Sequence, residues 1–196
     1  SALQAEGRGF EPLSSHTKSH PNDGFCCFMT WLADFQSNAQ VRLEENTKKI
    51  SDCLALIRES EFWHQANEHT LSIGTTLVHL RGNMTQYILS SLGGAPDQRV
   101  RDAEFATRGG LPQAEVWHAF RQTVDQVGTV IGQLTEAEAL RVRPVQAYRL
   151  SGIGIVLHVV EHYSYHTGQI AYITKLLHQR TLGFYAGVNL NQTNPQ

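Results

Sequence analysis

The feature that most constrains the fold is a helical spacing of apolar residues, which recurs in four long segments of the chain. Such spacing predicts amphipathic helices, and four helices with one apolar face each bury those faces most simply against one another. We therefore predict an all-α protein built as a four-helix bundle. The four apolar stripes contain Phe28, Leu32, Phe35, Ala39, Leu43, Ile50, Cys53 and Ile57; Ile73, Leu77, Leu80, Met84, Tyr87 and Ile88; Val116, Phe120, Val124, Val127, Ile131 and Leu134; and Val156, Val159, Tyr163, Ile170, Ile173 and Leu177.

The ends of these segments carry signals for helix termini. Ser72 and Ser151 are candidate N-caps, and Pro112 suits the first turn of the third helix. The pair Gly93-Gly94 indicates where the second helix stops. No segment alternates convincingly between apolar and polar residues, so we predict no strand.

The chain of 196 residues is long enough for one domain with a sizeable core. We predict an N-terminal extension or arm at residues 1–27, the bundle at 28–185 and a C-terminal tail at 186–196. The connections at 93–111 and 135–150 are long enough to cover one end of the bundle, where functional sites often lie.

Charge and cysteine content argue against several classes of protein. With 16 Lys and Arg against 18 Asp and Glu, the net charge is −2, so we predict no nucleic-acid partner. No apolar run is long enough to span a bilayer, and we expect no membrane partner. The three cysteines include an adjacent pair, which makes a poor disulfide framework and favours a reducing, cytoplasmic setting.

The segment HVVEHYSYHTGQIAY, residues 158–172, places His158, His162 and His166 at i, i+4 and i+8 of one predicted helix. Neighbouring members share a helix face, but the outer two are about 12 Å apart along the axis. Because zinc–imidazole bonds measure about 2.0–2.1 Å, one metal ion can take two neighbours and not easily all three. The spacing leaves open which pair binds. The alternative is a row of half-buried histidines with local hydrogen bonds.

A third ligand is available on the second helix, where His79 shares a polar stripe with Thr76, Asn83 and Gln86. A polar stripe on a core-facing helix is costly unless it lines a site, although a lone histidine there is more often a core residue with a satisfied hydrogen bond. Three histidines with an open position are typical of a catalytic zinc site. The metal there lowers the pKa of a bound water or thiol, or polarises a carbonyl.

The string HVVEH, residues 158–162, also fits the HxxEH pattern of a metalloprotease with Glu161 as general base. That mechanism needs an acidic ligand further along the chain, and no Asp or Glu follows His162 in the sequence. We therefore rank the protease below the other interpretations.

Weaker candidates lie in DQRVRDAEF, where Arg99, Arg101 and Glu104 could bind an anionic substrate. An exposed salt-bridge loop is the more common structure for such a stretch. The scattered histidines, which include His64 and His69, are interpreted as solvated.

Three stretches of the sequence resemble the DinB/YfiT-like metalloenzyme family. They are LSIGTTLVHLRGNMTQYI at residues 71–88, GGAPDQRVRDAEF at 93–105 and, most specifically, HVVEHYSYHTGQIAYITKLL at 158–177. The resemblance covers roughly residues 29–185. It implies an up-down-down-up four-helix bundle, often paired into homodimers, with one divalent metal held by three histidines.

Carried over by position, the family's metal ligands correspond to His79, His162 and His166, which leaves His158 as a pocket or catalytic residue. The resemblance does not fix the metal, for which zinc or nickel is the first expectation. The residues expected to contact a substrate or to support the ligands are Asn83, Gln86, Gln169, Arg99 and Arg101.

The resemblance implies a divalent-metal-dependent enzyme that activates water or a low-molecular-weight thiol, for transfer or hydrolysis on a small substrate. The wider superfamily includes thiol-dependent transferases, which is why a thiol is expected. The alternative is a non-catalytic metal-binding or stress-related helical bundle.

Overall fold

The computed structural model describes residues 30–195. Its four long helical regions form the predicted four-helix bundle, and shorter elements lie in the connections. The elements in chain order are α1 (Trp31–Leu54), α2 (Glu59–Phe62), α3 (Ile73–Met84), a π-helical segment (Thr85–Ser90), α4 (Arg101–Ala106), α5 (Gln113–Gly132), α6 (Glu136–Leu140), β1 (Arg143–Val145), β2 (Tyr148–Leu150) and α7 (Gly152–His178).

Contacts between the long helices give their relative directions. The start of α1 lies beside the end of α5, where Gln36 donates a hydrogen bond to the carbonyl of Ile131 at 2.9 Å, so these two helices are antiparallel. Helices α1 and α7 run in the same direction, whereas α3 and its π-helical continuation run against α7. The order is up-down-down-up, as predicted.

The apolar stripes identified in the sequence form the core of the bundle. Ile50, Leu80, Phe120 and Val159, one from each stripe, are at most 1% exposed. Burial of one such side chain stabilises the fold by about 1.5–3 kcal/mol, so the stripes hold the bundle together. Phe28, at the start of the first stripe, lies outside the described residues.

Sequence signals also located the helix ends. Ser72 and Ser151 each accept a hydrogen bond from the backbone N–H three residues further on, at 3.0 and 3.1 Å, as N-caps do. Pro112 directly precedes the first residue of α5. Gly94 has a φ of 76°, which favours glycine, and it ends the region that begins with α3.

A small hairpin corrects the prediction that the chain contains no strand. Strands β1 and β2 pair antiparallel, with Val145 opposite Tyr148. Three-residue strands are too short to show an alternating pattern, which is why the sequence did not indicate them. In the turn, Gln146 accepts a hydrogen bond from the hydroxyl of Tyr87 at 2.7 Å, and Tyr148 lies near His158. The hairpin therefore covers the start of α7.

The second bundle helix is not uniformly α-helical, because it becomes π-helical from Thr85 to Ser90. Tyr87 and Ile88 in this segment are fully buried, as they would be on the apolar face of an α-helix. The apolar pattern of the sequence therefore did not distinguish the two helix types. Such π-helical turns often occur near functional sites.

Two expectations concern parts of the chain that the structure does not describe. The predicted arm at residues 1–27 and the pair Cys26-Cys27 lie outside the described residues.

Cys53 is a buried free thiol. Between residues 30 and 195, no helix is both long and apolar enough to cross a membrane.

Candidate metal centre

Two helices bring three histidines together. His79 lies on α3, and His162 and His166 lie one turn apart on α7. Each imidazole offers one nitrogen, and these nitrogens all lie within 4.8 Å of one another. The Nε2 atoms of His79 and His162 are 3.0 Å apart. This three-histidine group can hold a metal ion.

A buried carboxylate orients His79. Nδ1 of His79 lies 2.9 Å from Oε2 of Glu104, and both side chains are nearly inaccessible to solvent. Because an ionised carboxylate only accepts hydrogen bonds, Nδ1 carries the proton and Nε2 is left free to bind a metal. A carboxylate behind a ligating histidine is common in metal sites, where it fixes the ring orientation and makes the ligand more basic.

Glu104 is itself fixed by Arg99, which donates from Nε to Oε1 at 2.7 Å and from Nη2 to Oε2 at 2.9 Å. Burial raises the pKa of Glu104, but the hydrogen bonds donated by Arg99 and His79 outweigh it and leave the pKa below its ordinary value. Gly82, on α3, makes room for this carboxylate, because a Cβ at position 82 would overlap the Glu104 side chain. The carboxylate is therefore charged and held against His79.

An amide orients the third histidine. Nδ1 of His166 lies 2.7 Å from Oε1 of Gln169, one turn further along α7. With the amide oxygen as acceptor, Nδ1 of His166 is the protonated nitrogen and Nε2 is free. His79 and His166 thus both offer Nε2.

Electrostatics keeps the α7 histidines neutral. Burial, together with the nearby His166, His79, His158 and Arg99, lowers the pKa of His162 to about 3. Burial lowers the pKa of His166 to about 4. A histidine must be unprotonated to bind a metal, so these side chains are in the required form at neutral pH.

The distances are compatible with one metal ion. Two nitrogens bound to the same ion at about 2.0–2.1 Å in a tetrahedral arrangement lie about 3.3 Å apart. The 3.0 Å separation of the His79 and His162 nitrogens is close to this value. The widest separation within the group, at most 4.8 Å, exceeds this value by at most about 1.5 Å. The residues present therefore fit a three-imidazole site.

Asn83 lies on α3 one turn after His79, in the predicted polar stripe. It is 4% exposed, and its Oδ1 has no hydrogen-bond partner within residues 30–195. An unpaired buried polar atom costs about 1–3 kcal/mol. Such a cost is typical of positions near functional sites, where a ligand or water satisfies the atom.

Gln86, Arg99 and Arg101 were expected to contact a substrate or to support the ligands, and the structure gives the contacts of each. Gln86 donates to Asp97 at 2.9 Å and accepts from Arg99 at 3.0 Å, which ties the π-helical segment to the following connection. The Arg99 side chain is 3% exposed and already paired with Glu104. Arg101 is exposed, and its guanidinium lies 4.5 Å from the centre of the Phe105 ring. The loop salt bridge envisaged from the sequence is thus buried rather than exposed.

His158 lies beside the three-histidine group without joining it. Its ring stacks on Tyr87 with centroids 4.3 Å apart, and is parallel to the ring of His162 at 5.8 Å. Glu161 is exposed and lines a groove with Arg42 and Lys49 of α1. The HxxEH string therefore does not form the metalloprotease arrangement, because His158 lies outside the three-histidine group and Glu161 lies in the groove beside α1.

A pocket of about 700 Å³ adjoins the group, between the second half of α7 and the segment before α3. His166 and Gln169 form one end of it, and the exposed side chains of Tyr165 and Tyr172 form part of its wall. The opposite wall, residues 64–71, is largely irregular, so no periodicity in the sequence indicated it. His64 and His69 lie in this wall, and they were the only feature of the sequence that pointed to it.

Comparison with known families identifies the chain. A family described as protein of unknown function, DUF1572, matches residues 31–185. The chain belongs to this family. No curated protein matches the DUF1572 chain.

Solved structures show how the DUF1572 chain folds. A DinB-like protein from Bacillus subtilis has a TM-score of 0.55 at 11% identity, over 76% of this chain and 94% of that one. A protein from Streptococcus pneumoniae has a TM-score of 0.57 at 13% identity, over 72% of this chain and 91% of that one. At these identities the likeness establishes the fold, and the predicted DinB/YfiT-like resemblance is confirmed at that level.

Proposed function

We propose that this DUF1572 protein is a divalent-metal-dependent enzyme that activates water or a low-molecular-weight thiol, for transfer or hydrolysis on a small substrate. The observation that carries the proposal is the convergence of His79, His162 and His166 beside a pocket of about 700 Å³. A pocket of this size suits a small molecule. Three imidazoles suit several late transition metals, and we expect zinc or nickel.

When bound, a divalent metal supplies Lewis acidity, which makes water or a thiol more acidic and polarises a carbonyl. The chain's own residues hold the ligands in place. Glu104 keeps the proton of His79 on Nδ1, and Gln169 does the same for His166. We assign proton transfer to His158, because imidazole is the commonest general base in enzymes and its ring lies beside His162.

A non-catalytic metal-binding or stress-related bundle is the second candidate. The three-histidine group joins α3 to α7, so a metal ion there would also tie two bundle helices together. This alternative predicts that the metal is needed for a cooperative fold rather than for a reaction.

A turnover assay tests the enzymatic proposal. Metal-free protein is reloaded with one equivalent of zinc or nickel and assayed on small esters and electrophiles, with and without a low-molecular-weight thiol. We expect a rate that requires metal and falls at least 100-fold in His79→Ala, whereas His118→Ala, an exposed histidine on α5, keeps it. A metal that binds without producing any metal-dependent rate would contradict the proposal.

A second variant tests the role of His158. His158→Phe keeps a flat ring beside Tyr87 and His162 but cannot accept a proton. We expect kcat to fall by about 10²–10⁴-fold while metal content is unchanged. An unchanged kcat would remove His158 as the general base.

Partner and location are also part of the proposal. A homodimer follows from the family resemblance alone, and a cytoplasmic setting from the cysteine content. Light scattering on the purified protein tests the homodimer. A measured mass equal to that of one chain would contradict it.

A further inference from the structure

The pocket beside the three-histidine group has an unusual lining for a site next to a metal centre. None of the described side chains that line it is Asp, Glu, Lys or Arg. Its wall on α7 consists mainly of aromatic and branched apolar side chains, and the amide of Gln169 lies next to His166. The opposite wall carries the exposed imidazoles of His64 and His69. Apart from the imidazoles of His64, His69 and His166, this pocket of about 700 Å³ offers no ionisable cation or carboxylate to compensate the desolvation of a charged ligand.

The apolar wall is exposed to water in the free protein. Tyr165, Tyr172 and Leu176, on one side of α7, are 63%, 64% and 59% exposed. Large apolar side chains that are grouped and exposed indicate a surface that gains stability when covered. The neighbouring His166 and Gln169 are at least partly buried and already engaged with each other, so the polar end is preorganised.

We propose that this pocket binds an uncharged small molecule with an aromatic or branched alkyl body, and that the molecule's polar end lies at His166 and Gln169. The second half of this statement rests on the proposed function, because it places the reacting end of the substrate at the metal centre. The lining disfavours small-molecule thiols that carry several carboxylates, since no lysine or arginine of the described lining would pair with them. The thiol or acceptor used by the protein is therefore neutral over most of its surface.

A set of three probes with the same naphthyl body and different charge tests the proposal. They are 2-naphthol, 2-naphthoate and 2-naphthylmethylammonium, titrated at pH 8 into metal-free protein by fluorescence or chemical-shift changes. We expect 2-naphthol to bind at least tenfold more tightly than either charged probe. Equal affinity for the three, or tighter binding of a charged probe, would overturn the proposal.

The chain offers a matched pair of variants that locate the binding. A Cβ at Gly168, which lines the pocket on α7, meets no atom within 4 Å, so Gly168→Phe projects a ring at the pocket without a clash in the helix. Gly128 on α5 is equally unobstructed and lines a different groove, so Gly128→Phe is the control. We expect 2-naphthol affinity to fall at least tenfold in Gly168→Phe and to stay within twofold in Gly128→Phe. Equal effects would place the binding elsewhere.

A gain-of-function variant keeps the proposal testable if Gly168→Phe folds poorly. Leu176→Arg adds a cation to an exposed position of the wall, where the fold tolerates a charged side chain. We expect it to raise 2-naphthoate affinity at least fivefold and to leave 2-naphthol nearly unchanged. No change in 2-naphthoate affinity would contradict binding at this wall.

Zinc loading separates a failure of this inference from a failure of the proposed function. The pocket needs no metal to bind 2-naphthol, so the charge preference is expected in both metal-free and zinc-loaded protein. Zinc that binds while the charge preference is missing would overturn the pocket assignment alone. A charge preference in a protein that binds no metal would support the pocket and overturn the metal-dependent function.

Discussion

Nδ1 of His79 lies 2.9 Å from Oε2 of Glu104, although the two residues are 25 positions apart in the chain. Glu104 lies on the short helix α4 in the long connection, and Arg99 from the same connection pairs with it. The crossover that follows the second bundle helix thus supplies the group that sets the tautomer of a candidate ligand. A connection that could have served only to join helices contributes to the site.

Replacement of Glu104 by glutamine is predicted to weaken metal binding by about 10–100-fold, because the amide lacks the charge that makes His79 a stronger ligand. Competition with a chelating dye measures the zinc affinity. Asp102→Asn, at an exposed acidic position on the same helix, is the matched control and should have no effect. Equal affinities of Glu104→Gln and the unmodified protein would show that the carboxylate does not act on the metal ligand.

Gly82→Ala is expected to disturb the contact between His79 and Glu104 from the α3 side. The added Cβ would overlap the carboxylate of Glu104 and displace it from His79. We predict weaker zinc binding than in the unmodified protein, in spite of the greater helix propensity of alanine. If chelator competition shows unchanged affinity in a folded Gly82→Ala, the close approach of Glu104 to α3 is not needed.

Removal of metal should leave a folded, cooperative bundle. The apolar stripes form the buried core, and none of the three histidines belongs to them. We therefore expect burial of the stripes to stabilise the bundle without metal. A metal present at 100 times its Kd adds about 2.7 kcal/mol, which corresponds to a rise in Tm of about 5–10 °C for a chain of this size. Calorimetry with and without a chelator measures this. A metal-free protein with no cooperative transition would favour the non-catalytic, structural role of the metal.

Acidification should destabilise the metal-free protein. The pKa values of His162 and His166 are lowered to about 3 and about 4, against an ordinary value near 6.5. The unfolded chain therefore takes up protons first as the pH falls below about 6.5, and the free energy of unfolding falls from there towards pH 3. At pH 5.5 the free energy of unfolding is lower by at most about 1.4 kcal/mol for each histidine. Solvent screening makes the actual decrease smaller.

Urea titrations between pH 8 and pH 5 test this dependence. His162→Gln, which cannot take up the proton, should show a smaller loss of stability over the same range. His118→Gln, at an exposed position on α5, should follow the unmodified protein. A stability that does not change between pH 8 and pH 5 would contradict burial of neutral imidazoles.

Asn83→Leu is predicted to raise the stability of the metal-free protein by about 1 kcal/mol. The substitution removes a buried Oδ1 that has no partner within the described chain, and the leucine side chain has the same branched shape and the same number of non-hydrogen atoms. The same variant should lose activity if the amide contacts the substrate. Denaturant unfolding measures the first effect, and a clear loss of stability would show that Asn83 supports the fold.

The sequence was most informative where the relevant residues are close together in the chain. His162 and His166 share a helix face because they are four residues apart, and Gln169 follows three residues later. Ser72 and Ser151 were identified as caps for the same local reason. The polar stripe on the second helix indicated His79 as a third ligand, but the choice of His162 and His166 rather than His158 and His162 needed the family resemblance.

Tertiary structure decides what the sequence left open. Arg99 was a candidate for substrate binding, but the fold buries it against Glu104, and Gly82 leaves room for that carboxylate. The pocket wall at residues 64–71 is irregular and has no periodicity to detect. The hairpin at Arg143–Leu150 has strands of three residues, too short for a pattern.

The most direct test of the metal centre is the metal content of purified, tag-free protein by elemental mass spectrometry after incubation with zinc or nickel. We predict about one equivalent in the unmodified protein and in His118→Ala, and less than a tenth of that in the His162→Ala, His166→Ala double variant. No bound metal in the unmodified protein, or equal content in the double variant, would contradict the assignment of His79, His162 and His166 as a metal site.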